Sequence, residues 1–598
     1  MKPFVILILT ASLTFAATRY VSNEGSDTVP YTSWETASPD LQKVIDYCEP
    51  WDTVLIAKGD YFGTFDVLKN LVIIGENRDS TRIYYSDSSG INQDRALIYG
   101  TDSLVIKNIS LYGAAECNYG VSMYKEFSPE INLILEDSEI KHCLECIDVY
   151  EGSLVLRRNN LWNVRNNVLL AVFVTNNFPN YHTAVVENNV FYLKALAMQS
   201  GVNRTVFNNN IIIGADINAQ GLSFLWSRDY VEIKNNIFQS SSLYAAYIEN
   251  IDTVIVGNNT FVPNYSYSVF VSGKGIYINQ SDYCKVYNNI FYQVNRAIRK
   301  SGTGNPAVAT NNLFYGTLLS HISGNVSLLE GNIFEVDPMF RDDSFWDQSA
   351  WDVQLQYASP AIDAGVPELF DVDGTRSDMG AFGGSGGISY QYVDLSPKAV
   401  KLDTIYYVSD SAKVKMKWKH NTESDLMGYF IYRDTTENFM PSAENEKCFL
   451  TENSYEAIIG DIQSPVLYYK ILAIDSAKNK SEIDSVYKIV RGDTVTTFIN
   501  RFERNYDFQL GQNYPNPFNP ETTITYEMKQ EGAVSIKVYD IKGEYISTIE
   551  NAQKSKGKHI IKFNGDNLAS GIYLYRIEVT GANRTPLYQD MKKMILVK

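Results

Sequence analysis

At 598 residues the chain is longer than the roughly 250 to 300 residues at which a single hydrophobic core stops growing, so it either divides into domains or extends as a repeat. Hydrophobic residues at 45% and charged residues at 20% exclude a mostly disordered chain, and a net charge of −17 excludes a general nucleic-acid binder, which needs a basic footprint. The charge is uneven: residues 19–151 hold 10 Lys+Arg against 23 Asp+Glu, residues 152–335 hold 12 against 9, and residues 336–390 hold 2 against 10.

The chain starts with Met1-Lys2-Pro3, an apolar run from Phe4 to Phe15, and then Ala16-Ala17. These are the basic, apolar and small-residue zones of a secretory signal peptide over residues 1–16, with cleavage expected after Ala16. About twelve apolar residues cannot cross a bilayer core of about 30 Å as a helix, and no later segment is long and apolar enough to do so. An exported chain with no transmembrane segment is expected.

Further along, a short pattern recurs: Glu187-Asn188-Asn189-Val-Phe191, Asn208-Asn209-Asn210-Ile-Ile, Lys234-Asn235-Asn236-Ile-Phe238, Gly257-Asn258-Asn259-Thr-Phe261, Asn288-Asn289-Ile-Phe291, Asn311-Asn312-Leu-Phe314 and Gly331-Asn332-Ile-Phe334. Weaker copies precede it at Lys107-Asn108-Ile109, Glu136-Asp137-Ser138 and Arg158-Asn159-Asn160-Leu-Trp162. Marked at the last polar residue, the copies fall at 108, 138, 160, 189, 210, 236, 259, 289, 312 and 332, a mean spacing near 25. Between them lie short β-branched and aromatic runs such as Thr253 to Val256 and Lys285 to Tyr287, with no helical period. Such a unit matches one turn of a parallel β-solenoid, whose coils stack and bury one column. The leucine-rich frame is absent, and propeller blades are longer, at about 40 residues. The asparagines have a structural role there: Asn tolerates a left-handed turn, and its amide can bond an identical amide one coil away.

Two further stretches carry a resemblance. Leu41 to Cys48 has apolar positions at helical spacing and is followed by Asp52-Thr53-Val54-Leu55-Ile56-Ala57-Lys58-Gly59-Asp60-Tyr61; Ser359 to Gly365, Asp371 to Arg376 and Asp378 to Phe382 close the region. Together they resemble the N-terminal cap, first coil and closing segment of right-handed parallel β-helix proteins of the pectate-lyase-like superfamily. The resemblance implies a β-helix domain over residues 17–388. The same fold carries lyases, hydrolases, epimerases and adhesins, so fold alone does not assign activity.

After Gly383-Gly384-Ser385-Gly386-Gly387, read as a flexible stop, residues 396–492 hold strand-like runs at Lys413 to Trp418, Gly428 to Arg433 and Leu467 to Asp475. With Trp418 early and a turn at Asp475 to Ser481, this stretch resembles a fibronectin type III sandwich. Residues 505–598 contain three ordered motifs: Leu510-Gly511-Gln512-Asn513-Tyr514-Pro515-Asn516-Pro517-Phe518, Val534 to Gly543, and Leu568-Ala569-Ser570-Gly571-Ile572-Tyr573-Leu574-Tyr575. They resemble the C-terminal sorting domain of the type IX secretion system of Gram-negative bacteria, which implies that secretion machinery as a partner and a secreted or outer-membrane surface location. The whole chain is therefore expected to be all-β: a right-handed parallel β-helix (solenoid) followed by two small β-sandwich domains.

Six cysteines are too few for a disulfide-built scaffold. Cys143-x-x-Cys146 has only His142 near it, so buried thiols, with at most one disulfide, fit better than a zinc site. Polysaccharide lyases of the resembled superfamily hold an acidic glycan in a groove, neutralise a uronate with Ca²⁺ or Arg and remove the C5 proton with a base. Counting five residues past the last Asn of two copies gives Arg165 and Lys194 as candidate catalytic residues one coil apart, with His182 as a second base. Arg158, Arg204 and Arg228 of the basic middle are candidate contacts to substrate; scattered solvated cations are the alternative. Asp371, Asp373 and Asp378 are candidate ligands for Ca²⁺, with an Asx-turn network as the alternative. Two functions are expected: an enzyme, lyase or hydrolase, that binds and cleaves an acidic polysaccharide, or a non-catalytic surface glycan-binding, adhesin or matrix protein.

Overall fold

The computed structural model describes residues 16–596 apart from 87–95, 115–116, 125–130, 164–169, 176–180, 194–195, 215–221, 226–228, 241–243, 264–272, 318–319, 344–351, 409–410, 460–463, 491–507, 512, 514–515, 517, 542–543, 555–556, 567 and 582–585. Each repeat folds as one coil of three short strands, as in Ile131–Glu136, Glu139–Lys141 and Glu145–Tyr150. Successive coils pair strand on strand, in parallel, into three sheets. The first sheet has 13 strands from Thr18–Val21 to Val326–Leu328, the second 12 from Gly59–Phe62 to Ile333–Phe334, and the third 11 from Phe65–Val67 to Ser320–Gly324. This is the expected parallel β-helix.

Alternation drives it. In first-sheet strands every second residue points into the column, so Leu154 and Leu156, Val231 and Ile233, and Val254 and Val256 are all fully buried. Each such side chain contributes about 1.5–3 kcal/mol. From Phe238 on, the phenylalanine of each repeat stacks on the next along the second sheet: Phe238, Phe261, Phe291, Phe314 and Phe334 lie 5.0, 4.7, 5.2 and 5.1 Å apart with nearly parallel rings. At the N-terminal end the expected helix forms as Leu41–Tyr47, capped by the Asp40 carboxylate on the Lys43 N–H at 3.1 Å.

The two asparagines of each copy do different work. The second sits buried at the corner between the first and second sheets: Asn236 Nδ2 donates to Asn259 Oδ1 at 2.9 Å, and the Asn236 N–H donates to the same oxygen at 3.0 Å. This ladder runs from Ser138 through Asn159, Asn189, Asn210, Asn236, Asn259, Asn289 and Asn312 to Asn332. The first asparagine takes the left-handed turn, with φ between 51° and 60° at Asn188, Asn209, Asn235, Asn258, Asn288 and Asn311. Two sequence marks are off the ladder by one residue. Asn108 holds the left-handed place, and Asn160 opens a second-sheet strand opposite Val190, leaving Asn159 in the ladder.

The closing segment does not cap the end of the solenoid. It runs back along this corner, held by the outer asparagines: Asn311 Nδ2 donates to the Gly365 carbonyl at 3.1 Å, Asn258 to that of Asp378 at 2.9 Å, and Asn235 to that of Ala381 at 3.1 Å. Phe340, Leu355, Ala361 and Met379 cover Ile237, Val262, Ile290 and Leu313 on the outside of the second sheet. The glycine run is part of this packing and not a flexible stop; a Cβ on Gly383 would lie 2.1 Å from the Asp378 carbonyl oxygen.

Residues 402–490 form an antiparallel three-plus-four sandwich: Leu402–Val408, Lys413–Trp418 and Ser454–Ile458 in one sheet, and Glu446–Leu450, Leu426–Asp434, Val466–Asp475 and Tyr487–Val490 in the other. Trp418 is buried in its core, edge-on to Tyr429 at 5.2 Å. Residues 509–596 form a second three-plus-four pair of antiparallel sheets, ending in Gly571–Thr580 and Pro586–Leu596. In it the Tyr575 hydroxyl donates to the Gly511 carbonyl and accepts from the Asn513 N–H, both at 2.8 Å, so two of the C-terminal motifs meet in space.

Candidate functional site

The three corners of the coil differ in what they tolerate. The turn from first to second sheet is two residues long in each coil from Lys107–Ser110 to Thr310–Leu313, because the ladder allows no insertion. The connection from second to third sheet varies from two residues after Leu193 to eleven after Tyr84, and that from third to first from one after Tyr150 to seven after Met123. Variable connections therefore flank the third sheet on both sides, and loops of varied length on a rigid scaffold are where binding residues concentrate.

The outer face of the third sheet carries a register row, one residue per coil: Tyr99, Ser122, Asp148, Phe173, Gln199, Ser223, Tyr247, Tyr277, Arg299 and Ser323. At about 4.8 Å per coil, the reach from Asp148 to Arg299 is roughly 29 Å.

One end of this row is basic and aromatic. Tyr244, Lys274 and Arg296 form a second row beside it, and the two interlock. Tyr244 stacks on Tyr277 at 5.1 Å, with Tyr247 edge-on to Tyr277 at 5.1 Å. The Lys274 ammonium lies 5.2 Å from the Tyr244 ring, and the Arg299 guanidinium 4.9 Å from the Tyr277 ring. A hydrogen-bonded border runs beside them: Tyr277 Oη and Ser301 Oγ are 2.6 Å apart, Ser301 donates to Asn279 Oδ1 at 2.9 Å, and Asn279 Nδ2 donates to Glu249 at 2.6 Å.

Toward the other end stand two carboxyls on the strand Glu145–Tyr150. Burial, with the nearby Asp148 charge adding to it, pushes Glu145 up to about 7, and burial pushes Asp148 up to about 6. Asp148 Oδ1 is enclosed and has no hydrogen-bond partner among the described residues. Both groups exchange protons near neutral pH, the range that suits an acid or base.

Of the residues expected from sequence, His182, Arg158 and Arg204 fall elsewhere. Arg165, Lys194 and Arg228 lie outside the described residues. The count that paired Arg165 with Lys194 started one residue late in the first of its two coils, since Asn159, not Asn160, aligns with Asn189. His182 precedes the first-sheet strand Thr183–Glu187 and is 4% exposed, its imidazole held below its usual pKa by burial. Arg158 sits at the first-to-second corner, donating twice to Asp137 at 2.6 and 2.7 Å. Arg204 lies on the first sheet, 4.1 Å from the Tyr230 ring centre. Arg157, beside Arg158, joins a first-sheet charge ladder with Glu136 and Glu187 at 3.3 and 3.2 Å. His182, Arg158 and Arg204 are thus not brought together on the third sheet. Asp371 accepts from the Asp378 N–H at 3.0 Å, Asp378 from the Asp363 N–H at 2.9 Å and the Tyr392 hydroxyl at 2.7 Å, and Asp373 from the Thr375 N–H at 3.0 Å. Each of the three carboxylates braces the closing segment.

Sequence reasoning missed Glu145, Asp148, Tyr244, Lys274, Tyr277 and Arg299. The signal was the uneven spacing of the copies, which marks the side of the coil where insertions enter.

Residues 512–587 match the family of secretion-system C-terminal sorting domains. The protein is secreted or held at the cell surface. Among the described residues no helix is long and apolar enough to cross a membrane. No curated protein matches the chain. Among solved structures, the A-module of the mannuronan C-5 epimerase AlgE4 of Azotobacter vinelandii is similar at 12% identity, over 48% of this chain and 89% of that one, with a TM-score of 0.31. Dimeric latent PorU of Porphyromonas gingivalis is similar at 14% identity, over 35% and 21%, with a TM-score of 0.16. The chicken CNTN1 FN1–FN3 domains are similar at 10%, over 35% and 70%, with a TM-score of 0.14. At these scores none of the three bears on activity.

Proposed function

We propose that this exported, pectate-lyase-like β-helix protein binds an acidic polysaccharide along the outer face of its third sheet. The observation that supports this is the interlocked set of Tyr244, Tyr247, Tyr277, Lys274, Arg296 and Arg299 on three adjacent coils. Aromatic faces offer a platform for the C–H faces of sugar rings, and three cations against the single carboxylate of Glu249 favour carboxylate or sulfate groups. The carbohydrate-binding reading places the fibronectin type III-like sandwich as a spacer ahead of the sorting domain, through which the secretion machinery takes the chain.

Cleavage, by a lyase or hydrolase route, rests on Glu145 and Asp148 as proton-exchanging groups farther along the same face. Arg165 and Lys194 fall in sequence just ahead of third-sheet strands, at Leu170–Thr175 and Leu196–Ser200, and are proposed as contacts to the uronate. Ca²⁺ at Asp371, Asp373 and Asp378 would have to replace the donors those carboxylates already accept from, and no step runs through it.

A panel of pectin, alginate, glycosaminoglycans and neutral glucans tests both parts. Selective retention of acidic glycans is expected, weakening with salt, and Tyr277→Ala with Arg299→Ala is expected to weaken it at least tenfold. Arg157→Ala, on the first sheet, is expected to leave it unchanged. Equal retention by the double variant would remove the third-sheet site. New reducing ends or an ultraviolet-absorbing unsaturated product, lost in Asp148→Asn, would mark an enzyme; retention without product would mark the alternative, a non-catalytic surface glycan-binding or matrix protein.

A further inference from the structure

Two buried thiols face each other across neighbouring coils. Cys117 lies between Ser110–Tyr112 and Tyr119–Met123, and Cys143 at the equivalent corner of the next coil, between Glu139–Lys141 and Glu145–Tyr150. Their sulfurs are 3.6 Å apart and both side chains are fully buried. The Cys143 sulfur reaches back over the preceding coil, where it fills the space a Cβ on Gly113 would need, at 2.6 Å. Two backbone hydrogen bonds hold the connections side by side: the Leu144 N–H donates to the Cys117 carbonyl at 3.2 Å and the Glu145 N–H to the Asn118 carbonyl at 2.7 Å. Neighbouring chains so paired run about 4.8 Å apart, within the roughly 4.4–6.8 Å Cα separation that a disulfide spans.

We infer that Cys117 and Cys143 are joined by a disulfide in the exported protein, stapling two coils at the entry to the strand that carries Glu145 and Asp148. The chain carries a sorting domain that takes it through an oxidising compartment, where disulfides persist. The oxidant is the exposed disulfide of a periplasmic dithiol oxidase. One cysteine thiolate attacks it to give a mixed disulfide; the second cysteine, losing its proton, displaces the oxidant's sulfur, so two electrons and two protons leave the chain and the oxidant becomes a dithiol. Because both sulfurs are enclosed in the finished fold, the exchange takes place before these coils close. Cys146, three residues on in the strand Glu145–Tyr150, stays a thiol, because the short sulfur–sulfur contact is the one between Cys117 and Cys143.

The experiment is non-reducing peptide mapping of the full-length protein recovered from the cell surface or medium, denatured and alkylated in acid. A linked peptide pair holding Cys117 and Cys143 is expected, with Cys48, Cys146, Cys284 and Cys448 alkylated and a mass two hydrogens below the reduced chain. The same protein made in a reducing cytosol is expected to alkylate at all six cysteines. As an independent measurement, Cys117→Ser is expected to lower the melting temperature of exported protein by several degrees but to change the cytosolic form less. Six free thiols in the exported protein, or a bridge that uses Cys146, would overturn the assignment.

Discussion

Asn259 shows how one amide serves two coils. Its Oδ1 accepts from the backbone N–H and the side-chain Nδ2 of Asn236 at 3.0 and 2.9 Å, in a fully buried place. Asn259→Ala leaves the Asn236 N–H enclosed without its acceptor, while Asn236 Nδ2 keeps the Phe207 and Lys234 carbonyls, and it takes from the Ile233 and Gly257 carbonyls the donor that Asn259 Nδ2 supplies; an enclosed group left unpaired costs about 1–3 kcal/mol. Denaturant melts of the solenoid are expected to show a loss of at least about 2 kcal/mol. Asn188, exposed at φ 60°, is different: Asn188→Ala is expected to cost only about 1 kcal/mol of left-handed strain, and Asn188→Gly nothing. Equal losses at the two positions would show that the doublet is not divided as described. Asp148 gives a pH signature. Its folded pKa, about 6, lies above the ordinary 3.8, so the fold binds a proton more readily than the unfolded chain does. The ionised form is therefore a liability above about pH 7, and it fades as pH falls through about 6. Asp148→Asn is expected to raise the melting temperature at about pH 8 and to give no gain at about pH 4; no pH dependence in the difference would show that Asp148 is solvated.

The closing segment is the element whose removal is easiest to read. It depends on four outer asparagines and on the close approach of Gly383 to the Asp378 carbonyl. Any side chain at 383 must push the segment off the corner. Gly383→Val is expected to make residues 359–390 sensitive to protease while the coils resist, measured by mapping the first cuts in limited proteolysis. An unchanged digestion pattern would mean that the segment is held by its apolar cover alone. The phenylalanine stack is the complementary case: Phe291→Ala opens a cavity between Phe261 and Phe314, expected to cost about 3–5 kcal/mol.

For the whole molecule, the separation of labour is along the chain. The solenoid presents a long face, and the last sandwich carries the address. Removing residues 505–598 is expected to leave the protein inside the cell envelope, absent from surface and medium on fractionation, with the ladder-bearing solenoid still folded. Recovery of the truncated chain in the medium would mean that another segment directs export.

The repeat was legible because a corner that stacks on itself needs the same residue in every coil, and Asn-Asn-x-Phe states that need directly: one asparagine for the left-handed turn, one for the ladder, one ring for the stack. The sorting domain was legible for a similar reason, since the Tyr575 hydroxyl ties the Gly511 carbonyl to the Asn513 N–H, which takes a tyrosine, and Asn513 Nδ2 donates to Thr522 Oγ1 at 3.0 Å, which takes a side-chain amide. What the linear order does not contain is which side of the coil stays open. Arg165 and Lys194 were aligned by counting, and the count started at Asn160, a strand residue that looks like a ladder residue in sequence. Tyr244, Lys274, Tyr277 and Arg299 are spread over 56 residues and become one surface only when three coils stack in register. Local pattern determines a coil because its turns and alternation are local; a face is a sum over coils, and its position follows from the register and insertion lengths that stacking sets.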